Sequence, residues 1–172
     1  MKPRALLACL TLLLISLALV AQQKSEAKKS GAAHADHTAK NSYSPDEVKW
    51  GPAPPFIPSG AQLAVLEGNP MGATGDYTIR LKMPDGYKIA PHWHPKRENV
   101  TIISGTLAFG MGDTFDTSKM KDFGPGSFAY LDPSMHHYVQ AKGATEVQIH
   151  GMAPVKFNYI NPADDPSQNK GK

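Results

Sequence analysis

The chain has 172 residues and carries 18 Lys and Arg against 15 Asp and Glu, a formal net charge of +3. A chain of this length has room for one domain with a leader or a tail. Residues 51–172 hold 11 basic and 11 acidic side chains, so the expected folded part is neutral and lacks the basic stripe that nucleic-acid binding requires. Cys9 is the single cysteine, which excludes disulfides and thiolate metal sites from the rest of the chain. Any metal there must be held by His, Asp or Glu.

Residues 1–21 have the layout of a secretory signal peptide. Lys2 and Arg4 precede an apolar run of 17 residues that ends at Ala21, and a basic start followed by an apolar core and a small residue is typical of an export signal. The residue two before Ala21 is Leu19 rather than a small residue, so an uncleaved membrane anchor is the alternative, although the run is short for a span of about 20 residues. We therefore expect a secreted or periplasmic protein with no membrane span after leader removal.

Residues 22–55 are rich in Lys, Ser, Ala, Gln and Pro and show no sustained apolar period, which is typical of a flexible linker. His34 and His37 lie in this segment and are interpreted as exposed side chains rather than a metal site. We assign residues 56–162 to one folded domain and residues 163–172 to a disordered tail.

Between residues 60 and 160 the chain alternates short apolar segments with turns rich in Gly, Pro, Asn and Asp. Tyr77, Ile79 and Leu81 alternate with polar residues, the period of a half-buried strand. No window shows a capped apolar period of 3.6 residues, so we expect few helices. Many short strands at regular intervals predict an all-β sandwich or small barrel. Strands are expected at 63–66, 77–82, 100–103, 106–109, 127–131, 137–140, 146–149 and 155–160, with 110–125 as a surface loop or a lid over the pocket.

Four of the five histidines in residues 51–172 fall into two tight groups, His92 with His94 and His136 with His137. Residues two apart on an extended chain face the same side, so His92 and His94 can direct their imidazoles at one point. Glu98 shares their parity if Pro95 does not shift the register. A third imidazole has to come from another strand, which His137 begins. Three imidazoles and one carboxylate suit a divalent transition metal and leave coordination positions open for water or substrate.

At these residues the sequence resembles the cupin superfamily. Gly86, five further residues, His92, one residue, His94, three residues, Glu98, six residues and Gly105 fit the first cupin motif at every fixed position. The fit extends over twenty residues, which makes it a specific signal.

The second cupin motif is matched less well. Gly126 and His137 have the expected separation, but Asp132 occupies the usual proline position, Ser134 the usual glycine position and Ala141 the closing asparagine position. The resemblance covers residues 60–160 and implies a single cupin-type double-stranded β-helix, a jelly-roll barrel.

The resemblance also implies a site. His92, His94, Glu98 and His137 would bind one divalent transition metal, either Fe, Mn, Ni, Cu or Zn, inside the barrel. His136 competes with His137 for the last ligand position. The spacing from Gly126 favours His137, and only one of two adjacent strand residues can point inward.

Two functional hypotheses follow from this site. The first is an exported small-molecule metalloenzyme, with dioxygenase-like oxidation as the leading reaction by analogy and decarboxylase or isomerase chemistry behind it. The second is a metal- or small-ligand-binding module without turnover. Tyr130 and His136 are the only candidates for an acid–base group. Phe128 and Tyr130 share strand parity with Gly126 and Asp132, which makes them candidate pocket walls, and core packing explains them equally well. The expected partner is a small molecule, and a homodimer is compatible with the resemblance.

Overall fold

A computed structural model describes residues 41–168 of the chain. In this range nine antiparallel strands form one sheet, and the helical elements are four 3-10 turns. The all-β prediction is therefore confirmed. The expected leader 1–21, the linker as far as residue 40 and the last four residues of the tail lie outside the described residues. The strands are β1 (Gly51–Pro52), β2 (Gln62–Gly68), β3 (Asp76–Met83), β4 (Lys88–Trp93), β5 (Glu98–Met111), β6 (Lys121–Phe123), β7 (Phe128–Leu131), β8 (His137–Met152) and β9 (Asn158–Tyr159).

Two long strands, β5 and β8, form the centre of the sheet. They pair with each other along most of their length. β8 also pairs with β3 and β4, and β5 also pairs with β6 and β7. Side chains of β2, β3, β4, β5 and β8 line one common cavity, so the sheet curls around an interior rather than lying flat.

The two long strands correct a sequence-based expectation, because each was predicted as two separate strands. β5 continues through Gly105, whose φ is +76°, and β8 continues through Gly143, whose φ is +74°. The pairing register shifts between Ile102 and Thr106, as happens at bulges that bend a strand without ending it. The sequence signals for turns at these glycines therefore mark bends inside continuous strands.

The interior face of the sheet is apolar. Along β3 every second side chain is buried, and Tyr77, Ile79, Leu81 and Met83 are each 3–4% exposed. Burying a large apolar side chain contributes roughly 1.5–3 kcal/mol, so this alternation fixes which face of the strand turns inward. It also determines which residues surround the site described below.

The ordered part begins earlier than residue 56, inside the segment expected to be linker. β1 pairs with β2, Val48 is 7% exposed, and the ammonium of Lys82 lies 3.9 Å from the centroid of the Trp50 ring. The sequence did not predict this earlier start, because a two-residue strand and single anchoring side chains produce no periodic pattern.

The end of the domain also differs from expectation. β9 has two residues instead of the six predicted at 155–160, and 3-10 turns at Pro162–Asp164 and Pro166–Gln168 extend into the expected tail.

In the described range, no helix combines the length and apolar character needed to cross a membrane.

Candidate metal centre

The four predicted ligand residues come from three adjoining parts of the sheet. His92 lies near the end of β4, His94 follows that strand, Glu98 begins β5 and His137 begins β8. All four are buried, with exposed fractions of 1–7%. One ring nitrogen from each of the three histidines lies within 4.8 Å of the corresponding nitrogens of the others. The structure thus brings together side chains that are 45 positions apart in the sequence.

The carboxylate of Glu98 adjoins two of these imidazoles. Its Oε2 lies 3.6 Å from Nε2 of His94 and 3.7 Å from Nε2 of His137. Both distances exceed the range of a hydrogen bond. Two donors bound at about 2.1 Å to one ion, at angles between 90° and 180°, lie about 3.0–4.2 Å apart. The observed spacing therefore suits ligands that share one metal ion.

Backbone carbonyls fix the orientation of all three imidazoles. In each ring Nδ1 lies within hydrogen-bonding distance of a carbonyl oxygen, and since a carbonyl only accepts, Nδ1 must donate its hydrogen. The Nε2 atom of each neutral ring then carries a free lone pair, the form required of a metal ligand. The Nδ1–O distances are 2.8 Å from His92 to Ala90, 2.8 Å from His94 to Lys156 and 3.1 Å from His137 to Met135.

Burial favours the neutral form of His92 and His137. It lowers the pKa of His92 well below its ordinary value, and the neighbouring His137 and His94 lower it further. Burial also lowers the pKa of His137, against the opposing effect of the Glu98 carboxylate. Metal binding needs deprotonated ligands, so the surroundings favour the binding form.

Nε2 of His94 is buried and has no hydrogen-bond partner. Buried polar atoms in folded proteins are almost always paired, and an unpaired one calls for an explanation. A shared metal ion would satisfy this atom, and the donor set of three imidazoles and one carboxylate fits a divalent transition metal.

Two phenylalanines pack against the imidazoles. Phe157 is stacked on His92 at a centroid distance of 4.6 Å and lies edge-on to His94, also at 4.6 Å. Phe109 is stacked on His137 at 5.3 Å. Phe157 had not been singled out as a site residue, because its segment carried only a strand-like apolar pattern.

A cavity of about 260 Å³ adjoins the cluster and occupies the interior of the curled sheet. His92, Glu98 and His137 line it, and apart from Asn69 the other lining residues in the described range are apolar. His94 reaches the cluster from outside this cavity, where it lines a smaller adjoining pocket together with Tyr77. Tyr77 is buried, and its pKa is raised mainly by burial and further by the Glu98 carboxylate.

The two acid–base candidates lie outside the cavity. Tyr130 is 55% exposed, and its ring faces the guanidinium of Arg97. His136 pairs with Asp113 at the surface. The expectation that Phe128 and Tyr130 form pocket walls is wrong, because the outward-facing positions of β7 carry these two side chains.

The neighbouring residues His136 and His137, at the start of β8, face opposite sides, as expected for adjacent residues of a strand. His137 is 1% exposed and points into the cavity, whereas the His136 side chain is 36% exposed. Of the two, only His137 belongs to the imidazole cluster.

Comparison with known proteins agrees with this architecture. Residues 79–152 match the family model of the cupin domain. The polyketide cyclase RemF from Streptomyces resistomycificus superimposes with a TM-score of 0.61 at 13% identity, over 76% of this chain and 92% of that one. A putative acetylacetone dioxygenase from Methylibium petroleiphilum PM1 superimposes with a TM-score of 0.54 at 19% identity, over 77% of this chain and 89% of that one. For an RmlC-like cupin from Shewanella frigidimarina NCIMB 400 the TM-score is 0.51 at 10% identity, over 66% of this chain and 91% of that one.

No curated protein matches the sequence. The family match and the structural neighbours nevertheless agree on one class, and the chain contains a cupin domain with the double-stranded β-helix fold. The fold that the two motifs implied is therefore confirmed.

Proposed function

We propose that this protein binds one divalent transition metal through His92, His94, His137 and Glu98. The observation that carries the proposal is the convergence of one ring nitrogen from each of three buried histidines whose rings are oriented by backbone carbonyls. Fe, Mn, Ni, Cu and Zn all suit such a donor set.

Each residue of the centre has a distinct part in this proposal. The imidazoles supply neutral donors, and Glu98 supplies a negative charge that offsets part of the ion's charge. Phe157 and Phe109 keep water away from the rings. When bound, the ion would supply Lewis-acid or redox chemistry next to the cavity.

Elemental analysis of protein purified without chelators tests the metal proposal. We expect close to one transition metal per chain, and titration of chelator-treated protein with each of the five divalent ions should identify the preferred one. Stoichiometry well below one with every ion would contradict the proposal.

We further propose that the metal-loaded protein is a dioxygenase-like oxidoreductase acting on a small organic molecule. The proposal is supported by the position of the cavity directly against three of the four ligand residues, which gives a substrate access to open coordination positions. Dioxygen consumption with a panel of phenols and diketones tests it, and uptake should disappear in His92→Ala. Metal-loaded protein that consumes no dioxygen with any compound would contradict this activity.

The alternative is a binding module without turnover, and one observation favours it. Among the described residues, Asn69 is the only polar residue lining the cavity besides the ligands, and its carboxamide oxygen already accepts the Met71 N–H at 3.0 Å. Besides the proposed ligands, no ionisable side chain of the described residues lines the cavity, so none is available there to transfer a proton. Such a module would bind its metal and a small molecule while showing no dioxygen uptake.

We also propose that the protein is exported through the segment 1–21, on the basis of its basic start and apolar core. Cell fractionation together with the intact mass of the mature protein tests this proposal. Cleavage after residue 21 supports it, an intact leader in the membrane fraction indicates an uncleaved anchor, and retention in the cytoplasm contradicts export. Light scattering on the same material tests whether the protein forms the homodimer with which the resemblance is compatible.

A further inference from the structure

The cavity beside the metal centre has an unusual charge balance. Glu98 is the single acidic residue among the described residues that line it, and no Lys or Arg of residues 41–168 lines it at all. In the metal-free protein, a carboxylate or phosphate group placed there would lose its hydration without gaining a cationic partner. It would also be repelled by Glu98.

The size of the cavity sets the size of its occupant. Its volume is about 260 Å³, whereas an apolar cavity of about 150 Å³ is enough to hold benzene. A molecule with one or two fused rings, or an aliphatic molecule of similar volume, fits this space.

The mouth of the cavity is apolar as well. Val65 and Met71 both line the cavity, yet they are 44% and 57% exposed, so the cavity reaches the surface between β2 and the loop that follows it. Large apolar side chains exposed at the rim of a cavity are typical of a binding site for an apolar ligand. Asn69, the polar residue at this mouth, is engaged by the Met71 N–H.

From these observations, and resting on the proposed function, we infer that the cavity binds a neutral, mostly apolar small molecule that enters between Val65 and Met71. Away from the metal centre, the lining offers no cationic side chain to a carboxylic acid or phosphate ester, so the walls of the cavity disfavour anionic ligands. Binding energy comes from the apolar walls, so the body of the ligand should bind with or without the metal.

Calorimetric titration of the full chain with 2-naphthol and 2-naphthoate at neutral pH tests the inference. The two compounds share a bicyclic body, but only the second carries a charge. We run the titrations on protein as purified and after chelator treatment, because a bound metal could itself attract the carboxylate. In the chelator-treated protein we expect 2-naphthol to bind at least tenfold more tightly than 2-naphthoate.

Two exposed methionines provide a matched pair of variants. Met71 and Met152 are 57% and 54% exposed, but only Met71 lines the cavity. Met71→Asp should weaken 2-naphthol binding about tenfold, whereas Met152→Asp should leave it unchanged, and thermal melts should show both variants folded.

The outcomes separate this inference from the metal proposal. Equal or tighter binding of 2-naphthoate to chelator-treated protein overturns the inference, as does absent binding of 2-naphthol or an equal effect of the two Asp variants. Each of these results leaves the metal stoichiometry untouched. Conversely, 2-naphthol binding by a protein that takes up no metal supports the inference and contradicts the metal proposal.

Discussion

Two segments deliver the imidazoles of the metal centre, and they follow the cupin pattern to different degrees. The first, residues 86–105, matches at every fixed position, whereas the second, residues 126–137, keeps only its glycine and its histidine. Even so, His92 and His137 are equally well buried, at 2% and 1% exposure. The comparison teaches that the ligand position can be kept while the sequence of the turn that precedes it changes.

The turn of the second segment is in contact with the first segment. Ser134 stands in the glycine position of the pattern and has a φ of +66°, a conformation that costs a residue with a side chain free energy. Its backbone N–H donates to the carbonyl of His94 at 2.9 Å. Nearby, the carboxylate of Asp132 accepts from Nε of Arg97 at 2.8 Å. The altered turn is therefore attached directly to the segment that carries the other ligands.

The largest effect should come from replacing the ligands themselves. Comparing one ligand from each segment tests whether both segments contribute equally to metal affinity. Loss of a residue that merely orients a ligand typically costs 10–100-fold in metal affinity, so loss of a ligand should cost on the order of 100-fold or more. We expect His92→Ala and His137→Ala to lower metal affinity to a similar extent, measured by competition with a chromophoric chelator.

His136→Ala is the control for this prediction. His136 neighbours His137 in the sequence but pairs with Asp113 at the surface, so its replacement should spare the metal content. A loss equal to that of His137→Ala would mean that the ligand assignment is wrong.

The glycines of the two segments should differ in how well they tolerate a side chain. A Cβ on Gly105 would lie 2.3 Å from the Ala144 carbonyl oxygen, whereas a Cβ on Gly126 would meet no atom within 4 Å. Both have positive φ. We expect Gly105→Ala to lower the free energy of unfolding by about 2–5 kcal/mol, from overpacking and backbone strain together.

For Gly126→Ala we expect the free energy of unfolding to fall by about 1–2 kcal/mol, because only the backbone strain remains. Urea unfolding of both variants provides the measurement. Equal losses would show that the crowding beside β8 at Gly105 has no energetic consequence.

Restoring the usual residue in the second segment should have a smaller effect of the opposite sign. Ser134→Gly removes the strain of a positive φ but adds conformational entropy to the unfolded chain. We expect a net gain in unfolding free energy of about 0.5–1 kcal/mol by urea titration. A loss of stability would indicate that the Ser134 hydroxyl has a role that its backbone conformation does not account for.

The smallest effect should come from the Arg97–Asp132 pair. The two side chains are 55% and 47% exposed, and exposed ion pairs contribute little because water screens them. A double-mutant cycle with Arg97→Ala and Asp132→Ala should give a coupling of about 0.2–0.5 kcal/mol. A coupling above about 1 kcal/mol would mean that the pair, rather than the Ser134 N–H, holds the turn in place.

The ligand cluster was largely predictable because it depends on local geometry. His92 and His94 lie two apart on one extended segment, and both are buried in the cluster. Glu98 lies beyond a turn, at the start of β5, so its place beside His94 followed from its position in the cupin motif rather than from strand parity. His137 could be chosen over His136 because neighbouring strand residues face opposite sides. The same parity argument was wrong for the cavity walls, since it assigned Tyr130 to the interior on the basis of neighbouring turn residues, and turns do not preserve strand alternation.

Contacts made across long stretches of chain were not predictable. The Lys156 carbonyl binds the His94 ring from 62 positions away, and Phe157 packs on two imidazoles. No periodicity connects these residues, because their proximity depends on how β9 is placed against β4. The early β1 pairing is similar, since two residues are too few to form a pattern.

The three carbonyls that orient the imidazoles have a consequence for how this centre tolerates mutation. They belong to Ala90, Met135 and Lys156, and every amino acid carries the same carbonyl on its main chain. Replacing these side chains leaves the acceptor in place as long as the backbone path is kept. Sequences at these three positions are therefore free to drift during evolution while the imidazoles stay aimed at one point.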